Sequence, residues 1–267
     1  LAMHSIVEAI LDFLFPPRCP GCGAYTEQRG DWCAECLART LQVHRLPLAA
    51  EMRQALDGAW AMGIYHGALR RLILGLKYQK KKSTLPYLHS FLQAALLRLP
   101  EAVLRAELAT AVPLYAAREK QRGFNQAELI FMEQGAVFGI PYASLLQRTR
   151  ATQPQYGLGA KERAKNMNAA FALAADRQLA GCHILLLDDI LTTGSTLYAC
   201  AKVLKKAGAA SVTALVLASD RQYWPHAQRT DGANIPCLVE MLIGMISSCE
   251  IQNSCVIIKK GKKNSEK

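Results

Sequence analysis

Twelve residues, Leu185 to Thr196 (LLLDDILTTGST), carry the most distinctive chemistry of the chain. An apolar run leads into two carboxylates, Asp188 and Asp189, then a short loop of hydroxyl residues and glycine, then a helical pattern. In an open parallel sheet, ligands bind beyond the carboxyl ends of the strands, which is where this spacing puts the two acids. The backbone N–H groups of Thr192, Thr193, Gly194, Ser195 and Thr196 fall at a helix N-terminus, where orphan donors and the positive end of the dipole suit a phosphate monoester. Gly194 lets that backbone approach closely. Carboxylates beside a phosphate cradle repel an anion unless a donor stands between them, and the vicinal hydroxyls of a ribose donate in that way. The segment therefore asks for a ribose 5-phosphate. Consecutive strand residues point to opposite sides, so the acids divide their work, one on ribose and one on a neighbouring donor, with the assignment open. The alternative is a strand followed by an ordinary capped helix with its acids in solvent.

A second constellation lies near the start of the chain. Cys19, Cys22, Cys33 and Cys36 form two CxxC knuckles with ten residues between the pairs. Each knuckle turns two thiolates into one hemisphere, and two knuckles complete the tetrahedron that Zn2+ prefers. Two disulfides or four free buried thiols are the competing readings; a reducing compartment opposes the first, and the second needs no paired spacing. With every ligand position filled by sulfur, no place is left for water, so the metal is expected to be structural and the module to fold only around it. Cys182, Cys200, Cys237, Cys249 and Cys255 lack such spacing and read as small apolar residues.

The elements that must position these groups follow an alternating pattern. Trp60 to Tyr65 reads as a strand, Gly67 opens a helix that ends in Lys77, Lys80, Lys81 and Lys82, and Leu85 to Leu99 reads as a second helix. Those lysines suit a helix C-terminus, with a phosphate or nucleic-acid contact as the alternative. Then come Leu108 to Leu114 as strand, Asn125 to Phe138 as helix with Asn125 as its cap, and short strands at Leu145 to Arg148 and Ala170 to Ala174. His183 to Leu187 reads as a buried strand, Ser195 to Ala207 as an amphipathic helix closed by Gly208, and Val212 to Leu217 as the last strand. Strands alternating with helices of this length imply an α/β fold with a parallel sheet flanked by helices.

Taken together the motifs resemble a known family. The acidic pair with its Thr-Thr-Gly-Ser-Thr loop resembles the binding signature of type I phosphoribosyltransferases, and the chain to about Ala218 resembles the ComF/GntX family. The knuckles, LKY at Leu76 to Tyr78, VPL at Val112 to Leu114, RGFNQAELI at Arg122 to Ile130 and TQPQYGLGAKERAKNMNAAF at Thr152 to Phe171 carry that resemblance. It implies a type I phosphoribosyltransferase fold that binds phosphoribosyl pyrophosphate with Mg2+, the metal arriving mainly on the ligand's own oxygens. It further implies that Arg122 lies beside the pyrophosphate, while Asp188 and Asp189 oppose positive charge developing at C1 of the ribose. Competence and DNA uptake, with single-stranded DNA and DNA-processing proteins as partners, are also implied. One reading is a transferase with an acceptor that no residue identifies; the other is a non-catalytic DNA-handling factor whose nucleotide pocket regulates it. Lys161, Arg163 and Asn166 read either as a solvated helix face or as a loop that closes over the ligand.

Length and composition set the frame. In 267 residues there is room for one sizeable core and an appendage. The expected layout is a zinc module over 1–50, a phosphoribosyltransferase-like domain over 51–219 and an extension over 220–267 that packs poorly on it. The net charge of +11 favours a polyanionic partner. Glu8 and Asp12 interrupt the apolar start, so no signal peptide is expected; Leu238 to Ser248 is too short to span a bilayer, and a cytoplasmic protein without membrane insertion is expected.

Overall fold

The computed structural model describes residues 13–132, 139–149, 170–175 and 178–220. The chain divides into two units, Leu1–Gln222 and Tyr223–Lys267. The second unit, and with it nearly all of the 220–267 extension, lies outside the described residues, as do Lys161, Arg163, Asn166 and Cys237, Cys249 and Cys255.

Described elements, in chain order, are α1 (Ala34–Thr40), β1 (Leu41–Arg45), β2 (Gly58–Ile64), α2 (Gly67–Gln79), α3 (Leu85–Leu96), α4 (Glu101–Leu104) and β3 (Leu108–Ala111). They continue with α5 (Ala116–Arg122), α6 (Gln126–Phe131), β4 (Leu146–Arg148), β5 (Phe171–Leu173), β6 (His183–Leu191), α7 (Ser195–Lys206) and β7 (Ser211–Ser219). The main sheet has the order β1-β2-β7-β6-β3. Four strands, β2, β7, β6 and β3, are parallel, as the alternation predicts, and β1 adds an antiparallel strand at one edge. β4 and β5 form a separate antiparallel pair.

The apolar strands β6 and β7 are buried on both faces, which is why they read as near-continuous runs. Leu185, Leu187, Leu215 and Leu217 pack under α2, α3 and α6, against Leu69, Ile73, Phe91 and Ile130. Ile184, Leu186, Val212, Ala214 and Val216 face the other way and meet Leu197, Cys200, Ala201 and Leu204 of α7. Cys200 is fully buried in that layer, as its apolar reading requires.

Two boundaries that bear on the site differ from the sequence reading, and a further strand joins the sheet. β3 stops at Ala111 rather than Leu114, because Pro113 has no N–H to donate to a ladder. β6 runs on through Asp188 and Asp189 to Leu191, because β7 pairs with it that far, from Asp188↔Val216 to Leu191↔Ser219. On the β3 side the ladder ends at Ala111↔Leu187, so the acids lie on a strand with one edge already open. β1, inside the cysteine-bearing segment, pairs with β2 through His44↔Ala61 and Arg45↔Trp60.

Candidate functional site

At the front of the chain, the Sγ atoms of Cys19, Cys22, Cys33 and Cys36 all lie within 4.8 Å of one another. Tetrahedral Zn2+ with Zn–S bonds of about 2.3 Å needs sulfurs about 3.8 Å apart. Cys22 Sγ and Cys33 Sγ are 3.7 Å apart, so the donor set fits the ion in identity and size. Backbone N–H groups of Gly21, Ala24 and Cys36 donate to the sulfurs of Cys19, Cys22 and Cys33 at 3.4 to 3.5 Å, which favours thiolates. The Arg39 guanidinium donates to Cys36 Sγ at 3.4 Å and offsets part of the negative charge of four thiolates. At Gly21 a Cβ would stand 2.6 Å from Cys36 Sγ, so the knuckle has room only for glycine.

This cysteine cluster is built into the α/β body. The Trp32 ring lies 5.8 Å from that of Phe91 on α3, and its indole N–H donates to Tyr87 O at 2.9 Å. Arg71 on α2 donates to Pro20 O at 2.8 Å.

At the carboxyl end of the sheet, strand alternation separates the acids as expected. Asp189 continues the face of Leu185 and Leu187, toward α2, and its carboxylate meets Lys77 Nζ at 3.5 Å. Asp188 continues the face of Ile184 and Leu186, toward α7, where its carboxyl is within electrostatic reach of buried Cys200 and of Arg148. The Asp188 carboxylate also accepts the Asp189 N–H at 2.8 Å. Burial, with the Asp189 charge beside it, pushes the Asp188 carboxyl up to about 8, so it holds a proton at neutral pH. Burial works against the Lys77 ammonium, but the acid pair, Asp189 foremost, outweighs it and the Lys77 pKa is raised.

Sequence reasoning assigned Lys77 to the end of a helix, and missed that the last turn of α2 aims it at the acid pair. Tyr78, beside it, has the Arg122 guanidinium 5.7 Å above its ring. The chain thus brings LKY, the end of α5 with Arg122, and the acid pair together. The signal was present: LKY and RGFNQ were already singled out, 45 residues apart at Lys77 and Arg122, and only the fold shows that they meet. Asn125 caps α6 as predicted, accepting from Ala127 N at 3.1 Å, and its amide donates to Val112 O at 3.0 Å, tying RGFNQ to the VPL turn.

The hydroxyl loop leads directly into α7. Gly194 takes φ +81 and is the N-cap residue, yet no side chain caps the helix. The Thr193 and Ser195 hydroxyls instead bond each other at 2.8 Å, and Thr193 Oγ1 accepts from Ser195 N at 3.4 Å. The positive φ favours glycine at 194, and a Cβ there would also have to displace Met52 Cε at the end of its side chain. The first turn of α7 has anion-ready N–H groups with hydroxyls around them.

Comparison with known proteins agrees with this architecture. A double zinc ribbon domain matches residues 10–47 and a phosphoribosyl transferase domain matches residues 135–235. The fold is that of a type I phosphoribosyltransferase domain joined to a cysteine-rich zinc-binding segment. Competence protein F of Haemophilus influenzae is 31% identical over 202 residues, which span 72% of this chain and 80% of that protein. DNA utilization protein YhgH of Salmonella typhimurium is 31% identical over 205 residues, 73% of this chain and 80% of that one. The chain belongs to the ComF family, with competence protein F and the YhgH proteins. Among solved structures, the adenine phosphoribosyltransferase of Thermoanaerobacter pseudethanolicus aligns at 16% identity and a TM-score of 0.35, over 58% of this chain and 76% of that one, too low to add to the assignment. Among the described residues, no helix is long and apolar enough to cross a membrane.

Proposed function

We propose that the chain binds phosphoribosyl pyrophosphate at the carboxyl end of its sheet and serves DNA uptake as a ComF-type protein. The observation that carries this reading is the uncapped start of α7 beside an acid pair, with the cations Lys77 and Arg122 grouped next to it. In this reading the first-turn N–H groups of α7 and the hydroxyls of Thr192, Thr193, Ser195 and Thr196 hold the 5-phosphate. One of the two acids holds the ribose hydroxyls and the other a neighbouring donor, and the pair opposes positive charge at C1 as its bond to pyrophosphate breaks and a bond to the nucleophile forms. Arg122 and Lys77 hold the pyrophosphate. The acid pair offers the hard oxygen donors that Mg2+ prefers, and Mg2+ bound with the ligand would neutralise charge on the leaving group.

Calorimetric titration of phosphoribosyl pyrophosphate with Mg2+ tests this reading, with the zinc-loaded protein set beside Asp188→Asn/Asp189→Asn. Binding that the double change abolishes is the expected result; no binding to either form overturns it. Turnover has its own assay, pyrophosphate release in the presence of candidate acceptors.

A second reading is a non-catalytic factor that handles single-stranded DNA, its nucleotide pocket regulating that role. The charge of +11 favours it, as do relatives that carry competence and DNA-utilization names. It requires DNA affinity that falls steeply with salt, with a slope reporting several neutralised phosphates. Binding that salt leaves unchanged would exclude it.

A further inference from the structure

The sheet carries a cavity at the end opposite the acid pair. A cavity of about 610 Å³ lies where β2, β6 and β7 begin, at Gly58, His183 and Ser211. Along β6, His183 and Asp188 are five residues apart, roughly 16 Å at strand rise, so the cavity lies apart from the acid pair.

Gly58, Trp60, His183, Ser211 and Thr213 line it from the sheet, on the face that farther along carries Leu185, Leu187, Leu215 and Leu217. A parallel sheet covered on both faces is expected to be apolar throughout. Here glycine, hydroxyls and histidine break that run. The wall is supplied by α4 and the turn after it, through Ala102, Arg105 and Ala106.

Sorting the polar groups gives the chemistry of a ligand. Both acids are engaged: Asp57 Oδ2 accepts from Lys205 Nζ at 2.9 Å and Val212 N at 2.7 Å, and Glu107 Oε2 accepts from His183 N at 3.0 Å. Arg105 is taken up by Glu101, and the His183 ring by Ser211 Oγ at 2.7 Å. Among the described residues, nothing partners the Trp60 indole N–H, the Arg45 guanidinium or the Thr213 hydroxyl, although Thr213 is only 8% exposed. Arg45 stands directly across the β1–β2 ladder from Trp60, so the two side chains share a face. The uncommitted groups are therefore a guanidinium, an indole N–H and a hydroxyl around an aromatic ring. The guanidinium and the indole N–H can only donate, so a ligand that satisfies them must bring acceptors together with a flat surface.

We propose that this cavity is a second ligand site that takes a nucleoside monophosphate, free or as the end of a strand, with the base against Trp60 and the phosphate on Arg45. The volume falls within the roughly 300 to 1,000 Å³ of small-molecule sites. The proposal stands apart from the phosphoribosyl pyrophosphate reading, because it shares no residue with the acid pair.

Equilibrium dialysis of radiolabelled AMP against the zinc-loaded full-length chain, with tryptophan fluorescence followed in parallel, tests it. Three variants accompany the wild type: Arg45→Ala, Arg45→Lys and Asp188→Asn/Asp189→Asn. Saturable binding is expected to survive the double acid change and to weaken at least about tenfold in Arg45→Ala. Arg45→Lys should recover part of it, with thermal unfolding of both Arg45 variants unchanged. A 5′-phosphorylated oligothymidylate that displaces AMP identifies a strand end as the ligand, and one that fails to displace it identifies the free nucleotide. Absence of saturable binding up to about 1 mM AMP overturns the proposal. So does binding that the acid variant loses and Arg45→Ala keeps, because the nucleotide then occupies the other site.

Discussion

Asp188→Asn is expected to make the protein more stable, and increasingly so as pH rises. Burial and the neighbouring Asp189 carboxylate lift Asp188 from an ordinary 3.8 to about 8. An aspartate raised in this way holds its proton more tightly in the folded chain than in the unfolded one. The contribution of Asp188 to stability is therefore greatest below pH 3.8 and declines as pH climbs toward 8. At about 1.4 kcal/mol per unit, the roughly three units between 3.8 and neutrality convert to ~4 kcal/mol. Asp188 keeps some contact with solvent, so about half of that, ~2 kcal/mol, is the expected cost at neutral pH. Asparagine keeps the size and the acceptor for the Asp189 N–H but has no charge to bury. For a domain of this length ~2 kcal/mol corresponds to a rise in Tm of about 4 to 8 °C. Differential scanning calorimetry in zinc-replete buffers from about pH 6 to 8.5 reads it while the cysteines stay deprotonated on the metal. The wild-type Tm should fall across that range relative to the variant. Parallel curves, or a variant that melts below the wild type throughout, would refute the buried-proton argument.

Other consequences are equally direct. If phosphoribosyl pyrophosphate binds with its Mg2+ against the acid pair, the cation next to Asp188 should drive off about one proton at neutral pH. The binding heat would then vary with the ionisation enthalpy of the buffer, and invariance would separate Asp188 from the ligand. Lys77→Met strips buried Asp189 of the ammonium 3.5 Å away and should cost about 3 kcal/mol in urea denaturation, part of it restored by Lys77→Arg. Gly194→Ala, at φ +81 and against Met52, should cost about 1 to 3 kcal/mol, with Gly194→Ala/Met52→Ala recovering only the steric share. Cys36→Ser should lower bound zinc measured by atomic absorption and destabilise the packing of Trp32 on Phe91, read by tryptophan fluorescence.

What the sequence made legible was local. The CxxC spacing named a metal and its four donors, because a knuckle is defined within a few residues. The run LLLDDILTTGST named a strand, an acid pair and a phosphate-ready helix start for the same reason. The separation of Asp188 from Asp189 onto opposite faces also followed, from strand alternation alone. Hidden from it were relations between segments. Lys77 satisfies a helix C-terminus perfectly well on its own, so nothing local distinguishes that role from a partner of Asp189 more than a hundred residues later. The extension of β6 through two aspartates contradicts their poor strand propensity and is decided by nine residues of β7 on the far side of α7. The cavity at Trp60 needed the fold as well, since it is framed by the starts of three strands and one short helix.

The pairing of β1 with β2 ties the metal to the outer boundary of the sheet. β1 follows immediately after α1, whose own cap is the ligand Cys33, and Gly63 of β2 is pressed against Thr40 O so closely that a Cβ there would sit 2.8 Å from it. When the cysteines lose their ion, through chelation or oxidation, the strand they anchor loses its foothold and β2 inherits the edge. Seven residues, GAWAMGI, apolar and uncharged, then present open N–H and C=O groups to any passing chain. Metal starvation should consequently register first as intermolecular association, visible by light scattering at concentrations where the zinc-loaded protein stays dispersed. In that sense the four cysteines act as a guard against self-assembly as much as a brace for the fold.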